Sequence, residues 1–143
     1  MGRDQQAWRG GSSMVPVKSV MVPAEKIRKV DRDTTIKAAA EQLRDHNIGS
    51  LFITKGSEII GILTDTDIVR RCVAGGLDPA KATVDQIMSA PVLMIDENKT
   101  LLDANDLMAQ SHVRHLGVSR SGKLVGMLSV RDLVVFLTNL PRK

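Results

Sequence analysis

Gly61-Ile62-Leu63-Thr64-Asp65-Thr66-Asp67 decides the fold, because the chain uses it twice. Sixty-five residues on, Gly126-Met127-Leu128-Ser129-Val130-Arg131-Asp132 repeats its chemistry: a glycine, two apolar residues, a hydroxyl and, three places later, an aspartate. Each copy closes an apolar run that reads as a strand and opens a segment that reads as a helix. Two readings of the hydroxyl–aspartate pair are open. Thr64-x-x-Asp67 and Ser129-x-x-Asp132 fit a capping box, in which hydroxyl and carboxylate satisfy orphan N–H groups at a helix start. The same edge suits a nucleotide, since backbone N–H groups favour phosphate and a carboxylate accepts hydrogen bonds from ribose hydroxyls. The glycine three places earlier favours the second reading. A cap needs no glycine, whereas close approach of a ligand to a strand end does. The two roles are compatible.

Outward from this motif, the whole chain reads as two copies of one series. Residues 1–14 are polar and glycine- and serine-containing, and read as a flexible tail. The first copy spans 15–79. Val17 to Met21 suggests a short helical turn stopped by Pro23, and Ile27 to Val30 a short strand. Asp33 or Thr34 caps a helix whose apolar positions are Ile36, Ala39, Ala40 and Leu43. Leu51–Thr54 and Glu58–Leu63 form a hairpin around Lys55-Gly56-Ser57, and a helix from Asp65 to Ala74 stops at Gly75-Gly76. The second copy spans 80–143. Thr83-Val84-Asp85-Gln86 opens a short helix by a capping box, and Pro91 follows as Pro23 did. A strand over Val92–Ile95, a helix from Thr100 to Gln110, a hairpin around Ser121-Gly122 and a helix over Val130–Leu140 complete it. The order strand–helix–strand–strand–helix, used twice, predicts an α/β (α+β) fold of two β-α-β-β-α repeats packed by pseudo-two-fold symmetry. Each copy alone is marginal for burying a core, so the two are expected to share one.

Composition narrows the function. Hydrophobic residues make up 43% of the 143, enough for a packed interior, but aromatics are only 2%. The core must therefore be built from Val, Ile, Leu, Met and Ala. No apolar run approaches the roughly 18–20 residues of a membrane span, and one cysteine, Cys72, fits a reducing compartment. A cytoplasmic protein without a membrane partner is the expectation. The net charge of +4 comes from scattered basic residues. Trp8, Phe52 and Phe136 are too few to stack bases, which counts against nucleic acid as the ligand.

Other chemistry is thin. His112-x-x-His115 on a strand would point its rings to opposite faces, and no cysteine or carboxylate cluster completes a metal site. Cys72 reads as a small packed hydrophobe, and His46 as a group satisfying carbonyls at a helix C-terminus. There is no phosphate-binding glycine loop, nucleophile elbow or dinucleotide fingerprint. No base, nucleophile or metal partner accompanies Asp65, Asp67 and Asp132. The sequence argues for no enzyme and no catalytic cofactor.

From about Val15 to Leu140 the chain resembles a tandem pair of CBS domains, a Bateman module. The resemblance rests on Val17…Met21 with Pro23, Val84…Met88 with Pro91, Asn47-Ile48-Gly49-Ser50-Leu51, Val113-Arg114-His115-Leu116 and the two glycine–hydroxyl–aspartate edges. It implies a regulatory module that binds AMP, ADP, ATP, NAD or S-adenosylmethionine, dimerises, and acts on a separate effector. Carried over position by position from the regulatory subunit of AMP-activated kinase, it implies two unequal clefts. In the main one, Ile62, Thr64 and Asp67 join the backbone of Val92 and Leu93 at adenine, with Arg114, His115 and Arg131 at the phosphates. In the second, Met127, Ser129 and Asp132 join Ile27, Arg28 and Ser50, but Gly49, Ser50 and Thr66 stand where the three basic residues stood. The alternatives are a ligand-free dimerisation platform and, further off, a nucleic-acid binder. Val134, Val135, Leu137 and Leu140 of the last helix serve either a homodimer or the core.

Overall fold

The computed structural model describes residues 14–139. Trp8 and most of the expected tail, and Leu140 of the last expected helix, lie outside the described residues. In chain order the strands are β1 (Val22–Pro23), β2 (Lys29–Asp31), β3 (Ser50–Lys55), β4 (Glu58–Thr64), β5 (Met94–Asp96), β6 (His115–Arg120) and β7 (Lys123–Ser129). The helices are α1 (Ile36–His46), α2 (Asp65–Asp67), α3 (Leu101–Ser111) and α4 (Val130–Thr138), and α2 runs on as a π-helix over Ile68–Val73. Each copy is thus a β-α-β-β-α unit, as the repeat predicts.

Two compact units result. The central unit is Ile27–Val92, and the flanking unit joins the described residues up to Lys26 to those from Leu93 on. In the central unit β2 runs parallel to β3 and β3 antiparallel to β4. The flanking unit repeats this with β5, β6 and β7 and adds β1 antiparallel to β7, through Val22↔Met127 and Pro23↔Gly126. The central sheet gains only a bridge between Ile62 and Ser89 at the matching place. The opening segment of each sequence copy therefore packs in the unit built by the strands of the other copy. Val84 and Ile87 join the central core, and Val17 the flanking one.

Both cores obey the helical and strand periods. Ile36, Ala39 and Leu43 of α1 pack on Leu51, Ile53 and Leu63, with Cys72 buried among them. Leu101, Ala104 and Met108 of α3 pack on Leu116, Val118 and Leu128, with Leu133 of α4. Of the expected α1 positions, Ala40 is only half-buried.

Several boundaries differ from expectation for local reasons. The first strands begin at Lys29 and Met94, two residues late, because ladder pairing starts at Lys29↔Phe52 and Met94↔Gly117. Arg28 and Leu93 still contribute carbonyls, which accept the N–H groups of Phe52 and Gly117 at 3.0 and 2.8 Å. Thr35, not Asp33 or Thr34, caps α1, its Oγ1 accepting from Ala38 N–H at 3.1 Å. Asp33 and Thr34 are used in a turn on Asp31, whose carboxylate and carbonyl accept their N–H groups. Thr83 makes no side-chain cap; its hydroxyl donates to Asp85, and the turn Val84–Gln86 is a 3₁₀ one. The helix after Thr64 keeps α geometry for one turn only, then widens, so that Ala74 N–H reaches Val69 O at 3.0 Å. Its glycine stop is as expected: a Cβ on Gly75 would lie 2.2 Å from the Arg71 carbonyl.

Candidate functional site

The two edges of the repeated motif have the same backbone and different surroundings. In the central unit Thr64 ends β4 and caps α2. Its Oγ1 accepts Asp67 N–H at 3.2 Å, and Asp67 Oδ2 accepts from Thr64 N–H at 3.0 Å and Thr64 Oγ1 at 3.1 Å. Asp67 is buried, and its other oxygen is also engaged. Ser89 Oγ donates to Oδ1 at 3.2 Å, and Arg71 Nε stands 3.8 Å from it. In the flanking unit Ser129 caps α4 in the same way, with distances of 2.8, 2.9 and 3.1 Å to Asp132. Asp132 is half-buried, and among the described residues nothing meets its Oδ1.

The capping reading of both motifs is therefore realised. The two glycines serve a different purpose from the expected one. A Cβ on Gly61 would lie 2.6 Å from Met88 Sδ and 3.0 Å from the Ser89 carbonyl. On Gly126 it would lie 2.6 Å from Met21 Sδ and 2.7 Å from the Val22 carbonyl. The glycines admit the chain's own opening segments, not a ligand. Ser89, Met21, Met88 and Arg71 were the residues missed. The signal available was that Met21 and Met88 precede the two prolines at similar spacing, and that Arg71 lies four residues after Asp67 on a helix.

The other named residues fall as follows. Ile27, Arg28, Ser50, Ile62, Thr64, Asp67 and Val92 belong to the central unit; Leu93, Arg114, His115, Met127, Ser129, Arg131 and Asp132 belong to the flanking unit. Within the central unit Ser50 pairs with Thr64 across the hairpin, and Asp65 N–H donates to Gly49 O at 3.2 Å. Within the flanking unit His115 pairs with Ser129, and Val130 N–H donates to Arg114 O at 3.0 Å. The same sheet corner thus carries Arg114, His115 and Arg131 in one unit and Gly49, Ser50 and Thr66 in the other. Arg114, Arg131 and Arg28 are exposed, as is Leu93, while Ile27, Val92 and Met127 are half-buried.

His112 is not on a strand as expected: it ends α3 in the left-handed conformation, φ 56°, and His115 begins β6. Among the described residues no three His, Cys, Asp or Glu side chains gather as a metal site, and no helix is long and apolar enough to cross a membrane. Cys72 is fully buried. Three carboxyls away from the edges are held below their ordinary range, exposed Asp45 by the hydrogen bond from Arg44 and the other two as follows. Hydrogen bonds from the backbone and then the side chain of Thr100 do this to Asp103, and the guanidinium of Arg120, at 2.5 and 3.1 Å, does it to Glu97.

Two β-α-β-β-α copies, each ending in a capped hydroxyl–aspartate edge and each opened by a segment lodged against the other copy's glycine, define a tandem CBS pair. Comparison with known proteins agrees: the CBS domain model matches residues 17–74 and 84–139. The chain belongs to the CBS domain family, whose members are generally regulatory rather than catalytic. It is 34% identical to the CBS domain-containing protein YhcV of Bacillus subtilis, over 85% of both chains. The solved structure of Hypoxic Response Protein I, with two coordinated zinc ions, is 30% identical with a TM-score of 0.70, over 89% of this chain and 100% of that one. CBSX2 in complex with AMP is 21% identical with a TM-score of 0.75, over 90% and 99%, and shares the fold.

Proposed function

We propose that this CBS pair is a nucleotide-sensing regulatory module that binds AMP, ADP or ATP and passes the change in packing to a separate effector; NAD and S-adenosylmethionine are the other adenosyl ligands in play. The observation that carries the reading is the unequal charge of the two sheet corners. Arg114, His115 and Arg131 offer phosphate two forked permanent cations and an imidazole, and Gly49, Ser50 and Thr66 offer no charge. For ribose and adenine the central unit offers Thr64, Asp67, Ile62 and Val92, and beside them the less phosphate-seeking Ile27, Arg28 and Ser50; the flanking unit offers Leu93 for adenine and Ser129, Asp132 and Met127 for a second adenosyl group. A carboxylate has about four acceptor positions, so Asp67 keeps capacity for ribose beside its cap and Ser89. That CBSX2 carries AMP on the same fold supports an adenosyl ligand in general. A regulatory effect requires the nucleotide to prefer one arrangement of the protein over another. Mass spectrometry of small molecules released from the purified protein tests the reading; an adenine nucleotide is expected, and a preparation that neither carries nor takes up one contradicts it.

A second reading, a ligand-free dimerisation platform, is favoured by one observation: both oxygens of Asp67 already have partners. Dimerisation itself fits either reading. Val134, Val135 and Leu137 do not close the core, being 52, 48 and 37% exposed, while Leu133 alone of α4 is buried. Light scattering at micromolar concentration should give twice the 15.6 kDa of the chain; a monomer mass contradicts the dimer.

A further inference from the structure

In the central unit the half-exposed side chain of Arg71 links Asp67 to the Ile87–Met88 turn. Its Nη1 donates to the carbonyls of Ile87 at 3.2 Å and Met88 at 3.0 Å, and its Nε faces Asp67 Oδ1. The flanking unit has the same backbone. Val17 O accepts the N–H groups of Val20 and Met21 as Val84 O accepts those of Ile87 and Met88, and Met21 lies on Gly126 as Met88 lies on Gly61. Sixty-five residues after Arg71, however, stands Phe136. Among the described residues no cationic side chain reaches Asp132 Oδ1, and an open cleft of about 400 Å³ lies there. Val20, Val135 and Phe136 give it an apolar wall; Arg131, Asp132 and Asn139 give it polar groups.

We propose that this cleft binds a small guanidino acid, a molecule with a guanidinium at one end and a carboxylate at the other. The guanidinium takes the place that Arg71 holds in the central unit, against Asp132 and the carbonyls of Val20 and Met21. Planar, forked donors fit such a set, and an ammonium ion does not reproduce it. The stem lies on Val20, Val135 and Phe136. The carboxylate pairs with Arg131, which is exposed and has no ion pair among the described residues. A cation without that carboxylate would meet Arg131 unanswered. The volume is within the roughly 300–1,000 Å³ of small-molecule sites. The proposal goes beyond the nucleotide reading, sharing with it only Asp132 and Arg131.

Calorimetric titration of the full chain with L-arginine tests it, beside citrulline, its neutral isostere, and agmatine, which lacks the carboxylate. Saturable binding of one arginine per chain is expected. Citrulline and agmatine should each bind at least about tenfold more weakly, the least that loss of a charged hydrogen bond entails. Phe136→Arg supplies the guanidinium from the chain itself and should abolish arginine binding while leaving AMP binding unchanged; a thermal melt checks its folding, and the ligand series on the parent does not depend on it. Citrulline binding as well as arginine, absence of saturable arginine binding, or parental arginine affinity in folded Phe136→Arg overturns the proposal. If arginine binds and AMP does not, the nucleotide reading falls and this one stands; the converse separates them equally.

Discussion

Asp67 and Asp132 occupy the same place in two copies of one motif, and their surroundings have diverged. Asp67 is buried under Ser89 and Arg71, and its neighbours at the sheet corner are Gly49, Ser50 and Thr66. Among the described residues Asp132 has a single side-chain partner, Ser129, and its corner carries Arg114, His115 and Arg131. What both keep is what the backbone needs: the capping box, the glycine, and the opening segment against that glycine. The difference teaches that the repeat preserves the helix start while the groups around it diverge, one aspartate braced by Ser89 and Arg71 and the other without a cation on its Oδ1 among the described residues.

The comparison can be broken first at the glycines. Gly126→Ala and Gly61→Ala both press a Cβ into a methionine, but at Gly126 the Val22 carbonyl stands at 2.7 Å, against 3.0 Å for Ser89 at Gly61. Backbone yields less than a thioether, so both should destabilise by about 1–3 kcal/mol, Gly126→Ala the more. Equal urea midpoints for the two variants would contradict the expectation that the closer backbone carbonyl makes Gly126 the less tolerant of the two glycines. Next come the caps. Thr64→Ala and Ser129→Ala should each cost about 1 kcal/mol of folding stability. A cap loss near zero at Thr64 alone would mean that Ser89 and Arg71 hold that helix start unaided.

The smallest effect is expected at Glu97, which has no counterpart in the first copy, where Arg32 takes its place. The Arg120 guanidinium lowers the folded-state pKa of Glu97 from its ordinary 4.5. Its contribution is therefore full above that value and is lost as the pH falls through the lowered one. Glu97→Gln should lower Tm at neutral pH, and the gap to the parent should close on acidification. A gap that persists or widens at acid pH would contradict the assignment.

Much of this was legible in the sequence because it is periodic. The α1 positions Ile36, Ala39 and Leu43, the hairpin turns at Gly56 and Ser121-Gly122, and the hydroxyl–aspartate caps all follow from spacings within a few residues. What was not legible depends on contacts distant in the chain. The role of Gly61 depends on Met88, twenty-seven residues away, and the brace on Asp67 comes from Ser89. The widening of the helix after Asp67 has no sequence signature in Ile68–Val73, a segment that reads as ordinary helix. The cap of α1 was missed by one or two residues because Asp33 and Thr34 are equally good capping types, and only the Asp31 turn removes them.

The central claim is that the two sets are unequal and that phosphate is read by the basic corner. Calorimetry with ATP and with adenosine, on the parent and on a chain carrying Arg114→Ala together with Arg131→Ala, tests it most directly. The account predicts one ATP bound well per chain, and a double variant that loses ATP affinity by roughly tenfold or more while adenosine affinity barely moves. Two equivalent high-affinity ATP sites per chain, or equal losses for ATP and adenosine, would contradict it.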